Sequence, residues 1–248
     1  MTAVTQPRVH ATGRALLLGL GAALLGCGSG PELAHAGAPS DWPHHGRDAG
    51  GSRHAPLAEI TRENVRELRV AWTHHTGDLA RMESFPWRNA SFQATPILVD
   101  GTLYLCSGLH RVIALDPETG AERWSFDPQV DFSIGRADPA CRGVSSWLDE
   151  GAAAGDACRR RIYLATTDAR LFALDAATGR PCAGFGEDGV VALAHGIANA
   201  RPGLYGVTSP PAVIGDLVVT GSQIGDNQRT DEASGVVRAW DARTGSLR

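Results

Sequence analysis

The sequence has no apolar run approaching the roughly 18–20 residues that cross a bilayer as a helix, so no membrane-spanning helix is expected. Positive charge is not in surplus either: 23 Lys and Arg stand against 27 Asp and Glu, a net charge of −4 over 248 residues. The basic footprint on which nucleic-acid binding rests is therefore missing, and no nucleic-acid partner is expected. No Gly-x-Gly-x-x-Gly opens a helix, which argues against a nicotinamide or flavin fingerprint. A Gly-x-Ser-x-Gly nucleophile elbow is absent as well. None of the five cysteines stands in Cys-x-x-Cys spacing, so a structural zinc site is not expected. Helical patterns are scarce, and only Glu63–Arg69 suggests one or two turns. Turn chemistry, by contrast, is abundant. Thirty Gly and 14 Pro break helix interiors and suit many short strands. A composition of 43% hydrophobic and 20% charged residues is that of an ordinary folded chain.

Residues 1–27 read as an export signal. Arg8 and Arg14 precede an apolar stretch, Ala15 to Gly26, that is too short to span a membrane after processing. The stretch ends in Leu24-Leu25-Gly26-Cys27, which resembles a bacterial lipobox and makes Cys27 the expected lipidation site. Ser29, at the second position after that cysteine, favours an outer-membrane anchor. Residues 28–40 are small, rich in Gly, Pro and Ala, and free of aromatics, which fits a flexible tether. The expected location is the periplasm, with a lipid holding the chain to a membrane.

Export makes the remaining cysteines informative, because disulfides persist in an oxidising compartment. Cys106, Cys141, Cys158 and Cys182 allow three complete pairings. Cys141 and Cys158 bracket a polar, Ala/Gly-rich excursion that a bridge at its base would staple, so that pair is expected. Cys106 sits in an apolar strand and is expected as a buried thiol.

Three segments repeat along the mature chain: Arg111–Gly120, Arg170–Gly179 and Val236–Gly245. Each runs apolar into Ala-Leu-Asp or Ala-Trp-Asp and then Asp-x-x-Thr-Gly, with the aspartates at 116, 175 and 241. The periods are 175 − 116 = 59 and 241 − 175 = 66 residues. A β-rich run precedes each: Thr95–Ser107, Arg161–Thr167 and Pro211–Gly221. Glu122–Phe126 follows the first turn as a further strand. A strand–strand–turn–strand unit at such a period predicts β-propeller blades with long insertions. Trp124 and Trp240 are expected to pack between blades. Three units fall short of the roughly 4–8 blades that close a propeller, so the chain is expected to be the amino-terminal part of a longer protein.

The segments Asp41-Trp42-Pro43, Gly46–Arg53, Pro56-Leu57 and Asn64-Val65 through Val70-Ala71-Trp72 resemble the opening of pyrroloquinoline-quinone (PQQ)-dependent dehydrogenases. Phe92–Pro96, Cys141–Ser145, Gly203-Leu204-Tyr205, Thr208–Pro211, Gly221–Asn227 and Ser234–Arg238 continue the likeness, which covers 41–248 and is nearest the membrane-bound glucose dehydrogenase type. The resemblance implies an eight-bladed propeller with PQQ over its axis, this all-β chain supplying about three blades. It also implies oxidation of a sugar or alcohol hydroxyl by hydride transfer to PQQ, with electrons passing to a membrane quinone or a cytochrome. Arg142 would be the cofactor arginine, its planar fork suited to carboxylate or quinone oxygens. Thr208 would place a hydroxyl against the cofactor. Gln93 stands where relatives often have Glu, and can donate or accept a hydrogen bond without acting as a base. Asp226 and Asn227 match the residues near the divalent metal, and their oxygens suit Ca²⁺ or Mg²⁺.

Some family features differ. Asp138 stands where the glucose type has a His, three residues before Cys141, which bears on the sugar. The adjacent cysteine pair of soluble alcohol dehydrogenases is absent. The family's general-base Asp and a PQQ-contacting Lys belong to later blades, so this chain alone is expected to be inactive. His44-His45 and His74-His75 are adjacent pairs that point to opposite faces of a strand and do not suit one metal. A different class, a lipid-anchored propeller scaffold for outer-membrane assembly, shares the lipobox and the turns. It has no use for Cys141-Arg142-Gly143 or Asp226-Asn227. A degenerate quinoprotein that only binds carbohydrate is a third alternative.

Overall fold

In the computed structural model, which describes residues 41–48, 50–83, 91–133, 140–225 and 229–248, each Asp-x-x-Thr-Gly segment closes on itself for local reasons. Asp116 Oδ1 accepts from the amide and hydroxyl of Thr119, both at 2.9 Å. Asp175 and Asp241 do the same for Thr178 and Thr244. The closing glycine then donates its N–H back to the aspartate carbonyl at 2.8–2.9 Å. Its φ is 70°, 72° and 71° at Gly120, Gly179 and Gly245, a left-handed conformation that a Cβ disfavours. Every fixed residue of the motif thus has a job within five residues. The Arg123 guanidinium, ahead of the Thr119 donors, holds the Asp116 carboxyl down at about 2. Arg248 leads the groups that do so for Asp241, also to about 2.

Around these turns the strands form three similar sheets. A two-residue lead-in, β1 (Ser91–Phe92), precedes β2 (Ile97–Val99), β3 (Thr102–Cys106), β4 (Val112–Leu115) and β5 (Glu122–Phe126), which pair antiparallel in chain order. A second lead-in, β6 (Ala140–Cys141), precedes β7 (Ser145–Leu148), β8 (Arg160–Ala165), β9 (Arg170–Asp175) and β10 (Val190–Ala192), again in order. A third, β11 (Tyr205–Gly206), precedes β12 (Ala212–Ile214), β13 (Leu217–Thr220), β14 (Gln223–Ile224) and β15 (Arg238–Asp241). Here β12, β13 and β15 make one sheet and β14 folds back on β11. These are propeller blades, as the repeat predicts. The helix expected at 63–69 is a single 3₁₀ turn, Val65–Glu67. A short helix that no sequence pattern marked, α1 (Asp78–Met82), precedes the first lead-in.

Blades stack through the turn motif. The Trp124 ring of β5 lies on Gly179 of the next blade, where an added Cβ would stand 2.5 Å from ring carbon. Its indole N–H donates to the Ala176 carbonyl at 2.9 Å. Trp72 docks on Gly120 in the same way and donates to the Pro117 carbonyl at 3.0 Å. At the third turn Val191 and Gly186 take the place of the indole. Tyr104 of β3 donates to the Ala176 carbonyl and Tyr163 of β8 to that of Ala242. Phe126 meets Phe172 edge-on at 5.4 Å across the first interface. The expected inter-blade role of Trp124 is therefore met. Trp240 is buried in the third blade and donates to Thr220 Oγ1 at 3.1 Å.

The disulfides correct the sequence reading. Cys106 pairs with Cys141, and Cys158 pairs with Cys182. The expected Cys141–Cys158 bridge is not formed, and Cys106 is not a free thiol. Cys141 lies just before β7 and Cys158 just before β8, its antiparallel neighbour, so the two mark opposite ends of one blade. Four strand residues at about 3.3 Å each separate those ends, beyond the roughly 7 Å that a cystine bridges. Each cysteine instead meets the one that shares its end.

His110, in the turn between β3 and β4, has no solvent exposure, and its Nδ1 has no hydrogen-bond partner among the described residues. Its Nε2 lies 3.4 Å from Thr167 Oγ1, and its ring packs near Phe132. Burial pushes its pKa down to about 4, opposed by Asp168 and by the nearby Ala165 backbone, with a smaller downward push from Arg170. The unfolded residue titrates near 6.5, so between those values the unfolded chain holds a proton that the native one lacks. Stability is therefore full above about pH 6.5 and falls by on the order of 3 kcal/mol as pH drops to about 4. In the full-length protein, denaturant midpoints measured from pH 7 to pH 4 are expected to show this fall and to lose it in His110→Asn, which tolerates the residue's φ of 63°. An unchanged acid profile in the variant would refute the assignment.

Candidate cofactor site

The three lead-ins converge at one end of the blades. β1 and β6 pair in parallel, Ser91 with Ala140 and Phe92 with Cys141, which sets Gln93 beside Arg142 in the next step of the register. The Thr95 N–H then donates to the Arg142 carbonyl at 3.1 Å, and the Arg142 N–H donates to the Thr208 carbonyl at 2.9 Å. Equivalent positions ahead of β2, β7 and β12 are thus strung together by backbone bonds. The Arg142 guanidinium also donates through Nη1 to the Thr208 hydroxyl. Gln93, Arg142 and Thr208, singled out separately in the sequence, come to one place.

Local geometry explains the neighbouring residues. Gly143 has a φ of 152°, outside what side-chain-bearing residues readily adopt, and packs against the Thr95 carbonyl and Pro210. It turns the chain from the lead-in into β7. Gly206 is pressed onto the Thr167 carbonyl so closely that any Cβ would overlap it. The Val207 N–H donates to the Thr166 carbonyl at 2.9 Å, so Thr208 follows two residues whose backbone is anchored on the second blade.

The chemistry left at the site is that of donors and one cation. Arg142 is exposed and forms no ion pair among the described residues. Its only side-chain partner there, Thr208, is neutral, so its positive charge is not compensated locally. Gln93 donates from Nε2 to Ser91 Oγ at 2.7 Å and keeps its carbonyl oxygen and second N–H. Because the Thr208 oxygen accepts from Arg142, its own O–H hydrogen is directed elsewhere. Such a surface suits an anionic, oxygen-rich molecule.

Several candidate positions fall outside the described residues: Cys27, Asp138, Asp226 and Asn227. The strand that leads to Asp226 is described. β14 pairs with β11, Tyr205 opposite Ile224 and Gly206 opposite Gln223, and the Gly225 N–H donates to the Leu204 carbonyl at 2.8 Å. Against Gly225 lies Glu232, whose Oε2 stands 3.0 Å from where a Cβ would be and whose buried Oε1 has no hydrogen-bond partner among the described residues. Sequence reasoning missed Glu232, because only the fold brings it back to the residue before Asp226. Thr95 was also missed as a linker, although it lies in the Phe92–Pro96 motif. Among the described residues no helix is long and apolar enough to cross a membrane.

Comparison with known proteins gives the family of the chain. Residues 42–248 match the family model described as "PQQ: Glucose/ethanol/alcohol dehydrogenase, beta-propeller domain". Quinoprotein glucose dehydrogenase A of Acinetobacter calcoaceticus is 37% identical over 231 residues, covering 88% of this chain and 29% of that protein. The quinoprotein glucose dehydrogenase of Escherichia coli is 38% identical over 214 residues, covering 85% and 27%. The crystal structure of the quinohemoprotein alcohol dehydrogenase of Comamonas testosteroni superposes with a TM-score of 0.64 at 31% identity, covering 84% of this chain and 26% of that one. The chain spans less than a third of the length of these relatives. With a family model matched over most of its length and blades of the same architecture, the chain belongs to the PQQ-dependent glucose/ethanol/alcohol dehydrogenase β-propeller family.

Proposed function

We propose that this chain is the cofactor-holding sector of a PQQ-dependent dehydrogenase that oxidises sugar or alcohol hydroxyl groups. The observation that carries the reading is the uncompensated guanidinium of Arg142, presented beside Gln93 and Thr208 by three successive blades. PQQ bears three carboxylates and, when bound, supplies an ortho-quinone that accepts hydride. Arg142 fits a carboxylate or quinone oxygen of such a molecule through its fork of donors. The Thr208 hydroxyl donates, and the Gln93 amide orients without exchanging a proton. None of the three is a base at neutral pH, so they hold and align, and the substrate proton passes to a residue outside this set.

The cation belongs to the same proposal. Asp226 and Asn227 would supply hard oxygen ligands for Ca²⁺ or Mg²⁺, and the orphaned buried oxygen of Glu232 beside Gly225 fits a positive charge nearby. Transfer of electrons to a membrane quinone or cytochrome, export to the periplasm and a lipid on Cys27 complete the reading. They rest on the family and on the amino-terminal sequence. The full-length protein, stripped of cofactor and then supplied with PQQ and Ca²⁺ or Mg²⁺, is expected to bind PQQ stoichiometrically and to reduce an artificial dye with a sugar or an alcohol. Absence of PQQ binding with either cation would defeat the proposal. Binding without oxidation of any hydroxyl substrate would confine it to a cofactor-binding propeller.

A further inference from the structure

We propose that the Cys106–Cys141 disulfide is a positioning element for PQQ, a covalent clamp that holds Arg142 in its binding pose. The inference rests on the PQQ reading above and goes beyond it in assigning a role to two buried cystine residues. Cys106 is the last residue of β3 and Cys141 the residue before Arg142, and both are buried, at 0% and 1% exposure. The bond therefore ties the first blade to the lead-in of the second at the position next to the binding arginine. That lead-in is otherwise thin. The β1–β6 ladder is two residues long, and a two-residue parallel ladder is a weak restraint. Beyond it, Arg142 is held by one backbone bond on each side, from Thr95 and to Thr208, and by its side-chain bond to Thr208. Opening the cystine leaves a charged, exposed side chain on a short segment with few fixed points. Pre-organisation of the guanidinium would fall, and affinity with it.

The molecule contains its own control. Cys158–Cys182 closes a sequence separation of 24 residues against 35 for Cys106–Cys141, so the two should restrict the unfolded chain to nearly the same degree. It lies at the opposite end of the second blade, where Cys158 precedes β8 and Cys182 donates its N–H to the Ala173 carbonyl. A stabilising role alone predicts equal consequences for the two. A positioning role predicts a difference in PQQ affinity.

The experiment uses the full-length protein with Cys106→Ser/Cys141→Ser and, separately, Cys158→Ser/Cys182→Ser. PQQ dissociation constants and denaturant midpoints are measured on both. We expect similar losses of midpoint, a PQQ affinity at least tenfold weaker in the first variant, and a change within twofold in the second. Equal changes in affinity, or none in either, would overturn the proposal while leaving the PQQ reading intact. If the parent protein binds no PQQ, both fall together. Should the first variant not fold, PQQ-loaded wild-type protein is titrated with a phosphine. The phosphine takes up oxygen from water to become its oxide as each cystine becomes two thiols, and alkylation with mass spectrometry reports which bond has opened. Cys158 is partly exposed, so that bond is expected to open first with PQQ retained, and PQQ release is expected to follow the opening of Cys106–Cys141. Release that tracks Cys158–Cys182, or retention after both open, would refute the clamp.

Discussion

Arg142→Ala in the full-length protein is expected to weaken PQQ binding by about a hundredfold or more. Hydrogen bonds to charged groups each contribute roughly 1.5–3 kcal/mol, and a forked guanidinium makes two. Their loss corresponds to about 3–6 kcal/mol, or two to four powers of ten at 25 °C. Arg142→Lys keeps the charge and loses the fork, so an intermediate loss is expected. Folding should change little, because the side chain is exposed and its described side-chain bond is to Thr208 alone. Titration of apo-protein with PQQ, followed by quenching of tryptophan emission, reads the affinity directly. Wild-type affinity in Arg142→Ala would mean that the converging lead-ins are not the cofactor cradle.

Gly179→Ala is expected to cost stability at two levels. The backbone there has a φ of 72°, where a Cβ costs about 1–2 kcal/mol. The same Cβ would stand 2.5 Å from the Trp124 ring, so the docked indole must move, adding roughly 1–3 kcal/mol of overpacking. Gly101→Ala separates the two effects. Its φ is 66° and nothing lies within 4 Å of an added Cβ, so only the backbone cost should appear. Denaturant midpoints of the two variants are expected to differ by the overpacking contribution. Adding Trp124→Ala should remove most of that difference, because the clash partner is gone. Equal losses in Gly179→Ala and Gly101→Ala would show that the indole does not bear on the glycine. Blade stacking would then have to depend on other contacts, such as Tyr104 and Phe126.

Much of the architecture was legible because the repeated turn is self-contained. Asp, Thr and Gly each satisfy a backbone demand within five residues, so the pattern survives unchanged wherever a blade needs it. Strand Glu122–Phe126 appears with the boundaries expected of it, since alternation of large apolar residues is a property of the strand alone. Gln93, Arg142 and Thr208 could be named through the resemblance, because their flanking motifs travel with them. Their meeting at one end of the blades is a tertiary fact that no spacing along the chain contains.

The remaining features required the fold. Bracketing of a polar loop by Cys141 and Cys158 suggested a bridge, yet cystine formation depends on which strand ends coincide, and antiparallel pairing carries those two apart. Lone His110 reads as a loop or core residue, but nothing near it or Glu232 marks their unpartnered buried atoms, because these are created by neighbours far away in the chain. Residue types and short-range spacing are enough for turns, strands and blades, since the forces that shape them act over a few residues. Disulfide pairing, a depressed histidine pKa and an uncompensated arginine arise only when distant segments are brought within a few ångströms, where distance and desolvation set the energies.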